Sequence, residues 1–346
     1  MRKLKENKTI FEIIGTDIND PKKEKEETNL SEFIGNSLSY SKKTTVPSKP
    51  IHKIFAHKNE VTCLCFSPLG DLIATGGGDS LVKVWDPNSG VEIASLKDFK
   101  KSITSVSINL DNSVLAASSV ADHLIKTFNI KTQRVMNTLS GHKDNINAIK
   151  CCLRSRKIWS GSSDRTIKLW DYDKLKCEMT QMCFSTCYDV DLTVEDSMLV
   201  SGHLDGSLKI WSATTGEKVK EINDILKSSN SSIVSVEFSK DGTLILVNSS
   251  DSILRVVDIR TFEILNELKS EHYSNTSSYN RACFSPDNNY CVVGSNSKVV
   301  IFSREKSDVF DIYSDVHKSR VLSTKWKPRE SCFATIDQLG GLIIWN

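Results

Sequence analysis

The chain has 346 residues, 25% of them charged and 39% hydrophobic, with a formal net charge of +2. That balance suits a globular protein with a sizeable core and excludes the strongly basic surface that holds nucleic acid. No run approaches the roughly 18 uninterrupted apolar residues of a membrane span, and Met1-Arg2-Lys3-Leu4-Lys5-Glu6-Asn7-Lys8 has no apolar run behind it, so neither membrane insertion nor a secretory leader is expected.

Residues 1–50 hold 10 Lys or Arg and 8 Asp or Glu, which leaves 35 of each sign, and no net charge, in residues 51–346. Their richness in Lys, Glu, Asn, Ser and Thr predicts a mostly disordered tail or linker. Two apolar islands interrupt it, Ile10 to Ile14 and Leu30, Phe33, Ile34 and Leu38, and neither sustains the heptads of a coiled coil. Phe11-Glu12-Ile13-Ile14 fits the loose pattern aromatic-x-x-aliphatic. In such a linear motif Phe11 and Ile14 fill two pockets as the peptide adds a strand to a ubiquitin-like modifier. Ten cysteines without a leader are expected to be reduced thiols of a cytoplasmic protein.

From residue 51 onward the sequence repeats. An aromatic or apolar residue recurs at Trp85, Phe128, Trp170, Trp211, Val257, Phe302 and Trp345, with spacings of 43, 42, 41, 46, 45 and 43. Six residues before these stand Asp79, Asp122, Asp164, Asp205, Asp251, Asn296 and Leu339. Ten before stand Thr75, Ser118, Ser160, Ser201, Val247, Val292 and Thr335. A histidine lies 28 before in three repeats, as His57, His142 and His317, and His272 is two residues out of that register. The period resembles that of the WD repeat, one four-stranded blade per unit. The expected fold is therefore all-β, a seven-bladed WD-repeat β-propeller over residues 51–346 behind the tail of residues 1–50.

In the WD-repeat family Asp, His, Ser or Thr, and Trp form a hydrogen-bonded tetrad that ties the outer strands of a blade to a tight inner turn. Buried polar groups persist only when paired, which gives the tetrad its physical sense. The resemblance assigns full structural sets to His57, Thr75, Asp79 and Trp85 in blade 1, and to His142, Ser160, Asp164 and Trp170 in blade 3. Ser201, Asp205 and Trp211 make a partial set in blade 4, while blades 5 and 6 have lost most of theirs.

Strands read between these marks. Val61 to Phe66, Leu72 to Thr75, Leu81 to Trp85 and Val91 to Leu96 are short β-rich runs punctuated by Gly70, Gly76 to Gly78 and Pro87-Asn88-Ser89-Gly90. The sequence stops one residue after Trp345, so blade 7 lacks a fourth strand of its own, and Ile51 to Phe55 is expected to supply it and close the ring.

Other chemistries fit less well. Ser160, His142 and Asp164 are the residue types of a hydrolase triad, but similar sets recur along the chain, whereas an active site is single. Gly76-Gly77-Gly78 lacks the Lys-Ser/Thr and helix of a phosphate loop. Cys63/Cys65, Cys151/Cys152 and Cys183/Cys187 give no paired C-x-x-C spacing, so no metal or cofactor is expected. Val257-Asp258-Ile259-Arg260 resembles the closing Trp-Asp-x-Arg of propellers that serve cullin ubiquitin ligases as substrate receptors, with its Trp replaced. That role is the alternative reading.

Several features are more particular. Val46-Pro47-Ser48 precedes Phe55-Ala56-His57, and Ala74-Thr75-Gly76-Gly77 follows in blade 1. Blade 3 carries Ser160-Gly161-Ser162, Asp164-Arg165-Thr166 and Lys168-Leu169-Trp170-Asp171, and blade 4 carries Ser201-Gly202-His203 with Asp205. Blade 5 ends Val256-Val257-Asp258-Ile259-Arg260-Thr261, and a Ser/Asn-rich loop, Tyr273 to Asn280, precedes blade 6. Together they resemble the C-terminal propeller of the autophagy-related protein 16 family over residues 51–346. The resemblance implies a non-catalytic scaffold, an autophagy adaptor that helps position the ubiquitin-like lipid-conjugation machinery on membranes. It implies protein partners from that machinery and a cytoplasmic protein recruited peripherally to autophagosomal or endolysosomal membranes. The family's coiled coil and conjugate-binding helix are not found in this sequence.

The repeat also points to a partner surface. Fourteen residues before the hydroxyl position lies the first buried residue of each inner strand: Val61, Ile146, Cys187, Ile233 and Val321. Strand alternation then turns its neighbours toward the channel mouth. They are polar in blades 1 and 3 (Glu60, Thr62, Asn145, Asn147) but include Tyr188, Val234, Arg320 and Leu322 in blades 4, 5 and 7, the composition of an interface hot spot.

Overall fold

Strand pairing in the computed structural model, which describes residues 44–226 and 231–346, yields seven four-stranded antiparallel sheets. The innermost strands of blades 1 to 7 are Val61–Phe66, Ile103–Ile108, Ile146–Cys151, Cys187–Leu192, Ile233–Phe238, Cys283–Phe284 and Val321–Trp326. In blade 1 the strands that follow, moving outward, are Ile73–Gly77, Leu81–Trp85 and Glu92–Lys97. This is the all-β, seven-bladed propeller that the repeat predicts.

Burial follows position within a blade. The second strand of blade 5, Leu244–Ser249, is buried at all six positions, whereas the outermost strand Glu92–Lys97 is exposed at three of six. Inner strands carry continuous apolar runs because each face packs on a neighbouring blade. Blade 1 contributes Val84 and Leu96, and blade 2 Ile103, Leu115 and Phe128, to one such layer. The layer between blades 7 and 1 joins Val61, Ile73 and Trp85 to Ala334, Ile336 and Ile344, so the ring closes through packing.

It also closes through hydrogen bonds. Pro50–Phe55 pairs antiparallel with Gly341–Trp345, His52 opposite Ile344 and Phe55 opposite Gly341, and becomes the outermost strand of blade 7. Residues 44–49, within the stretch expected as tail, already make contacts with the ring ahead of that strand. Thr44 N donates to an Asp287 carboxylate oxygen (2.8 Å), Tyr313 Oη donates to Pro47 O (2.6 Å), and Asn346 N donates to Lys49 O (3.1 Å). Val46 packs against the cluster that holds Tyr313, Phe333 and Trp345. Composition misjudged this stretch because two apolar residues suffice when an aromatic stack awaits them. Phe11 and Ile14 lie outside the described residues.

Six of the inner strands share one irregularity. Register shifts fall between Val61 and Cys63, Ile103 and Ser105, Ile146 and Ala148, Cys187 and Asp189, Ile233 and Ser235, and Val321 and Ser323. Each is a β-bulge whose extra residue is the second of the strand. A bulge resets the alternation, so the residues after it face opposite to a simple count from the first residue.

Loss of the closing strand is predicted to be more harmful than loss of the residues before it. Removing residues 1–43 should leave cooperative thermal unfolding intact. Removing residues 1–58 exposes the Gly341–Trp345 edge and should give aggregates in size-exclusion chromatography. Two equally monomeric truncations would refute this mode of closure.

Candidate functional site

Two polar systems run through the ring: a network inside blades 1, 3, 4, 5 and 7, and the lining of the central channel.

In blade 1 His57 Nδ1 lies 2.8 Å from Asp79 Oδ1 and its Nε2 lies 2.9 Å from Thr75 Oγ1. Trp85 Nε1 donates to the same hydroxyl (2.9 Å). The proton placement follows from the inventory of donors. A carboxylate only accepts, so Nδ1 carries the proton, and Nε2 then accepts from a hydroxyl that itself accepts from the indole. Blade 3 repeats this, with His142 to Asp164 at 2.8 Å, His142 to Ser160 at 2.7 Å and Trp170 to Ser160 at 2.8 Å. Hydrogen bonds from His142, Thr166 and the Lys143 backbone hold the Asp164 carboxyl well below its usual range, against the opposing effect of burial. The triad-like Ser160 is fully buried, so the arrangement has no path to a substrate. Backbone space is equally committed, since a Cβ on Gly77 would stand 2.3 Å from His57 Nδ1.

Blades 4, 5 and 7 solve the same problem with other residues. In blade 4 Trp211 Nε1 donates to Ser201 Oγ (2.8 Å), but Cys183 occupies the histidine position. His203, two residues beyond Ser201, brings its Nε2 within 2.9 Å of that hydroxyl instead. Asp205 accepts from Ser207 and has no hydrogen bond to His203 among the described residues. In blade 7 Leu339 occupies the carboxylate position, and Asp337, two residues beyond Thr335, supplies the missing group. His317 reaches Asp337 and Thr335 at 2.7 Å each, and Trp345 Nε1 donates to Thr335 (3.0 Å). Alternation explains both, because a residue two positions along a strand projects to the same face. In blade 5 the fully buried Arg255 spans Ser249 Oγ (2.8 Å) and both oxygens of Asp251 (3.2 and 2.8 Å). The turn Asn296-Ser297 of blade 6 is one residue shorter than its counterparts, so Val293 rather than Val292 sits at the hydroxyl position. His272 is exposed and joins no such network.

The channel lining overturns part of the expected partner surface. Val234 and Leu322 are each 3% exposed and cannot form a hot spot. They are bulge residues, as are Thr62 and Asn147, which donate across the blade seams to Ile103 O (2.5 Å) and Cys187 O (2.8 Å). Tyr188 and Arg320 are half-buried. Arg281, which the sequence reading passed over, binds this region together. Its backbone N donates to Leu322 O (3.1 Å), and its guanidinium donates to Val234 O and to Tyr188 O (3.1 Å). It also lies 3.2 Å from Asp189 Oδ2, and this contact links blade 6 to blade 4 past blade 5. The opposite charges of Asp189 and Arg281 at equivalent positions of their strands were the available signal.

Past the bulges, side chains of one blade cap the lumen-facing N–H groups of the next. Ser105 and Ser107 accept from Ile149 and Cys151, Asp189 and Asp191 from Val236 and Phe238, and Glu237 from Phe284. Lys150 pairs with Asp191 (2.6 Å) and Lys325 with Glu237 (2.8 Å). Burial pushes the thiols of Cys63 and Cys65 up to about 12, which leaves them un-ionised and unreactive at neutral pH.

The chain matches the family model described as WD domain, G-beta repeat, over residues 48–86, 133–171, 176–212, 220–258 and 265–303. It belongs to the WD40-repeat family. Among curated relatives, this WD40 chain is similar to Protein tipD of Dictyostelium discoideum, 34% identical over 89% of this chain and 50% of the relative. It is similar to Autophagy-related protein 16 of Arabidopsis thaliana, 32% identical over 88% and 59%, and to Autophagic-related protein 16.2 of Caenorhabditis elegans, 26% identical over 87% and 57%. The chain thus spans about half to three-fifths of the length of these relatives.

Two predictions follow from the networks. Asp164→Ala and Asp337→Ala should each lower stability by about 1–3 kcal/mol, the cost of stranding buried polar groups. Leu339→Asp in an Asp337→Gly background should recover part of the blade 7 loss, read by denaturant unfolding. No recovery would show that the two carboxylate positions are not equivalent. Burial holds the His203 imidazole down at about 4. The unfolded histidine takes its proton near pH 6.5, so between these values the unfolded state binds more protons and stability falls as pH falls. The unfolding midpoint of His203→Gln should accordingly drop less than wild type from pH 7 to pH 4. Parallel pH profiles would remove His203 as a cause.

Proposed function

We propose that this WD40 propeller is a non-catalytic scaffold, an autophagy adaptor similar to the autophagy-related protein 16 family, which helps position the ubiquitin-like lipid-conjugation machinery on membranes. The observation that carries this reading is the similarity to relatives bearing that name over nearly nine-tenths of this chain. The committed interior supports it, because hydroxyl, imidazole, carboxylate and thiol groups face one another or apolar packing rather than a reaction cleft. In this reading the protein is cytoplasmic and reaches autophagosomal or endolysosomal membranes through protein partners.

The partner-facing surface lies on the rim where the inner strands begin. Phe184 precedes the inner strand of blade 4 and is 79% exposed, on a left-handed backbone (φ 63°). That conformation costs about 1–2 kcal/mol for an L-residue. Leu204, 50% exposed, stands beside it, since Leu204 N donates to Thr186 O (3.0 Å). These exposed aromatic and aliphatic side chains, near the start of the strand that carries half-buried Tyr188, form an anchor that a partner can cover.

Affinity purification of the tagged chain, read by mass spectrometry, tests both parts. Conjugation proteins should be recovered with wild type and be depleted several-fold with Phe184→Ala/Leu204→Ala, while Asn145→Ala/Asn147→Ala retains them. Recovery of a cullin adaptor in their place would favour the substrate-receptor alternative. Equal recovery from the two double variants would rule out the Phe184 rim.

A further inference from the structure

The end of the channel opposite Arg281 carries an imbalance of charge. Lys150 and Lys325 are each the penultimate residue of an inner strand, and Lys240 lies two residues past the end of another, Ile233–Phe238, so all three gather at one mouth. The Lys325–Glu237 pair joins blade 7 to blade 5, skipping blade 6, which places both groups in the lumen.

Both oxygens of each of the two carboxylates nearby are already engaged. Asp191 uses one oxygen on Lys150 and the other on the Phe238 N–H. Glu237 uses one on Lys325 and the other on the Phe284 N–H. Among the described residues Lys240 has no hydrogen bond or ion pair. Burial holds its ammonium below the ordinary lysine value, Lys150 and Lys325 add to that shift, and Glu237 and Asp191 oppose it. Lys150 and Lys325 are paired one to one with Asp191 and Glu237, and Lys240 has no such partner among the described residues. Solvent reaches this level of the lumen, since the side chains of Lys150 and Lys325 keep 38% and 25% of their exposure.

We propose that Lys150, Lys240 and Lys325 form a binding site for a phosphoryl anion at this mouth of the central channel. A phosphoryl group presents three or more acceptor oxygens, enough to take one charge-assisted hydrogen bond from each ammonium. It also carries more charge, about −1.5 to −2 for a phosphomonoester at pH 7, than a chloride ion or a single carboxylate. The group comes either from a free phosphate compound or from a phosphorylated lipid headgroup. The site is independent of the Phe184 rim and of the proposed autophagy role.

The test uses the full chain with sodium pyrophosphate, set against sodium chloride at equal ionic strength, and reads thermal unfolding and calorimetric titration. Pyrophosphate should raise the unfolding midpoint of wild type and chloride should not. Lys240→Met should weaken pyrophosphate binding by about ten-fold or more, the scale of one charge-assisted hydrogen bond. Lys240→Arg should retain binding, and Lys176→Met, on an outer strand, should bind as wild type does. Without ligand, Lys240→Met should unfold no earlier than wild type, because it removes an unpaired cation; a ligand-free destabilisation would mark Lys240 as a structural residue and overturn the site. Co-sedimentation with phosphatidylcholine vesicles containing a phosphatidylinositol phosphate, lost in Lys240→Met, assigns the lipid headgroup. Soluble binding without co-sedimentation assigns the free anion. Equal effects of pyrophosphate and chloride, or equal affinity in wild type and Lys240→Met, would overturn the proposal.

Discussion

Each blade's innermost strand has a neighbour on one edge only, and the groups on its other edge face the central channel. Backbone N–H groups at that edge need partners, from side chains or from water. The chain answers with side chains from the preceding blade: serines in blade 2, aspartates in blade 4 and a glutamate in blade 5. Placing three carboxylates in a confined lumen demands cations, and Arg281, Lys150 and Lys325 supply them. The charged character of the channel is thus a consequence of ring closure.

The blade networks obey a looser rule. What persists across blades 1, 3, 4 and 7 is a buried hydroxyl that accepts from a tryptophan indole and bonds to an imidazole. Where the imidazole or carboxylate comes from is free to vary, provided it reaches the same face. His203 and Asp337 use the same expedient, two residues along the strand from the hydroxyl. The space is tight: a Cβ on Gly341 would stand 2.5 Å from Asp337 Oδ2, so the displaced carboxylate requires glycine opposite it. Blade 5 departs furthest, with Arg255 taking the central place and Asp251 and Glu267 balancing its charge.

This pattern sets what could be read from sequence. The period, the number of blades, the closing strand and the sets in blades 1 and 3 were legible because they rest on fixed spacings along the chain. The remaining sets were legible in part: the offsets found Ser201 with Trp211, and His317 and Thr335 with Trp345, but missed His203 and Asp337, because a strand offers equivalent positions every second residue and a fixed offset tests only one of them. Val234 and Leu322 were misplaced for a related reason. Alternation holds along a regular strand, but Val234 and Leu322 are the inserted residues of their bulges, where it fails. The docking of Thr44 to Lys49 was hidden because its partners, Asp287, Tyr313 and the C-terminal strand, are distant in sequence.

A ring so fully committed internally leaves recognition to groups that its own packing does not use. Phe184 and Leu204 are of this kind on the rim, and Lys240 is of this kind in the lumen. The two differ in physical origin. An exposed aromatic on a left-handed backbone is a local cost that the rest of the blade tolerates, because His203 and Ser201 hold the turn beside it through bonds that do not involve Phe184. An unpaired ammonium among other ammoniums is a collective cost, set by how many carboxylates the inner strands required as caps. Relief of the first calls for an apolar surface, and relief of the second for an anion. The same closed fold therefore offers chemically distinct contacts at opposite ends of its axis, and occupancy of one need not disturb the other.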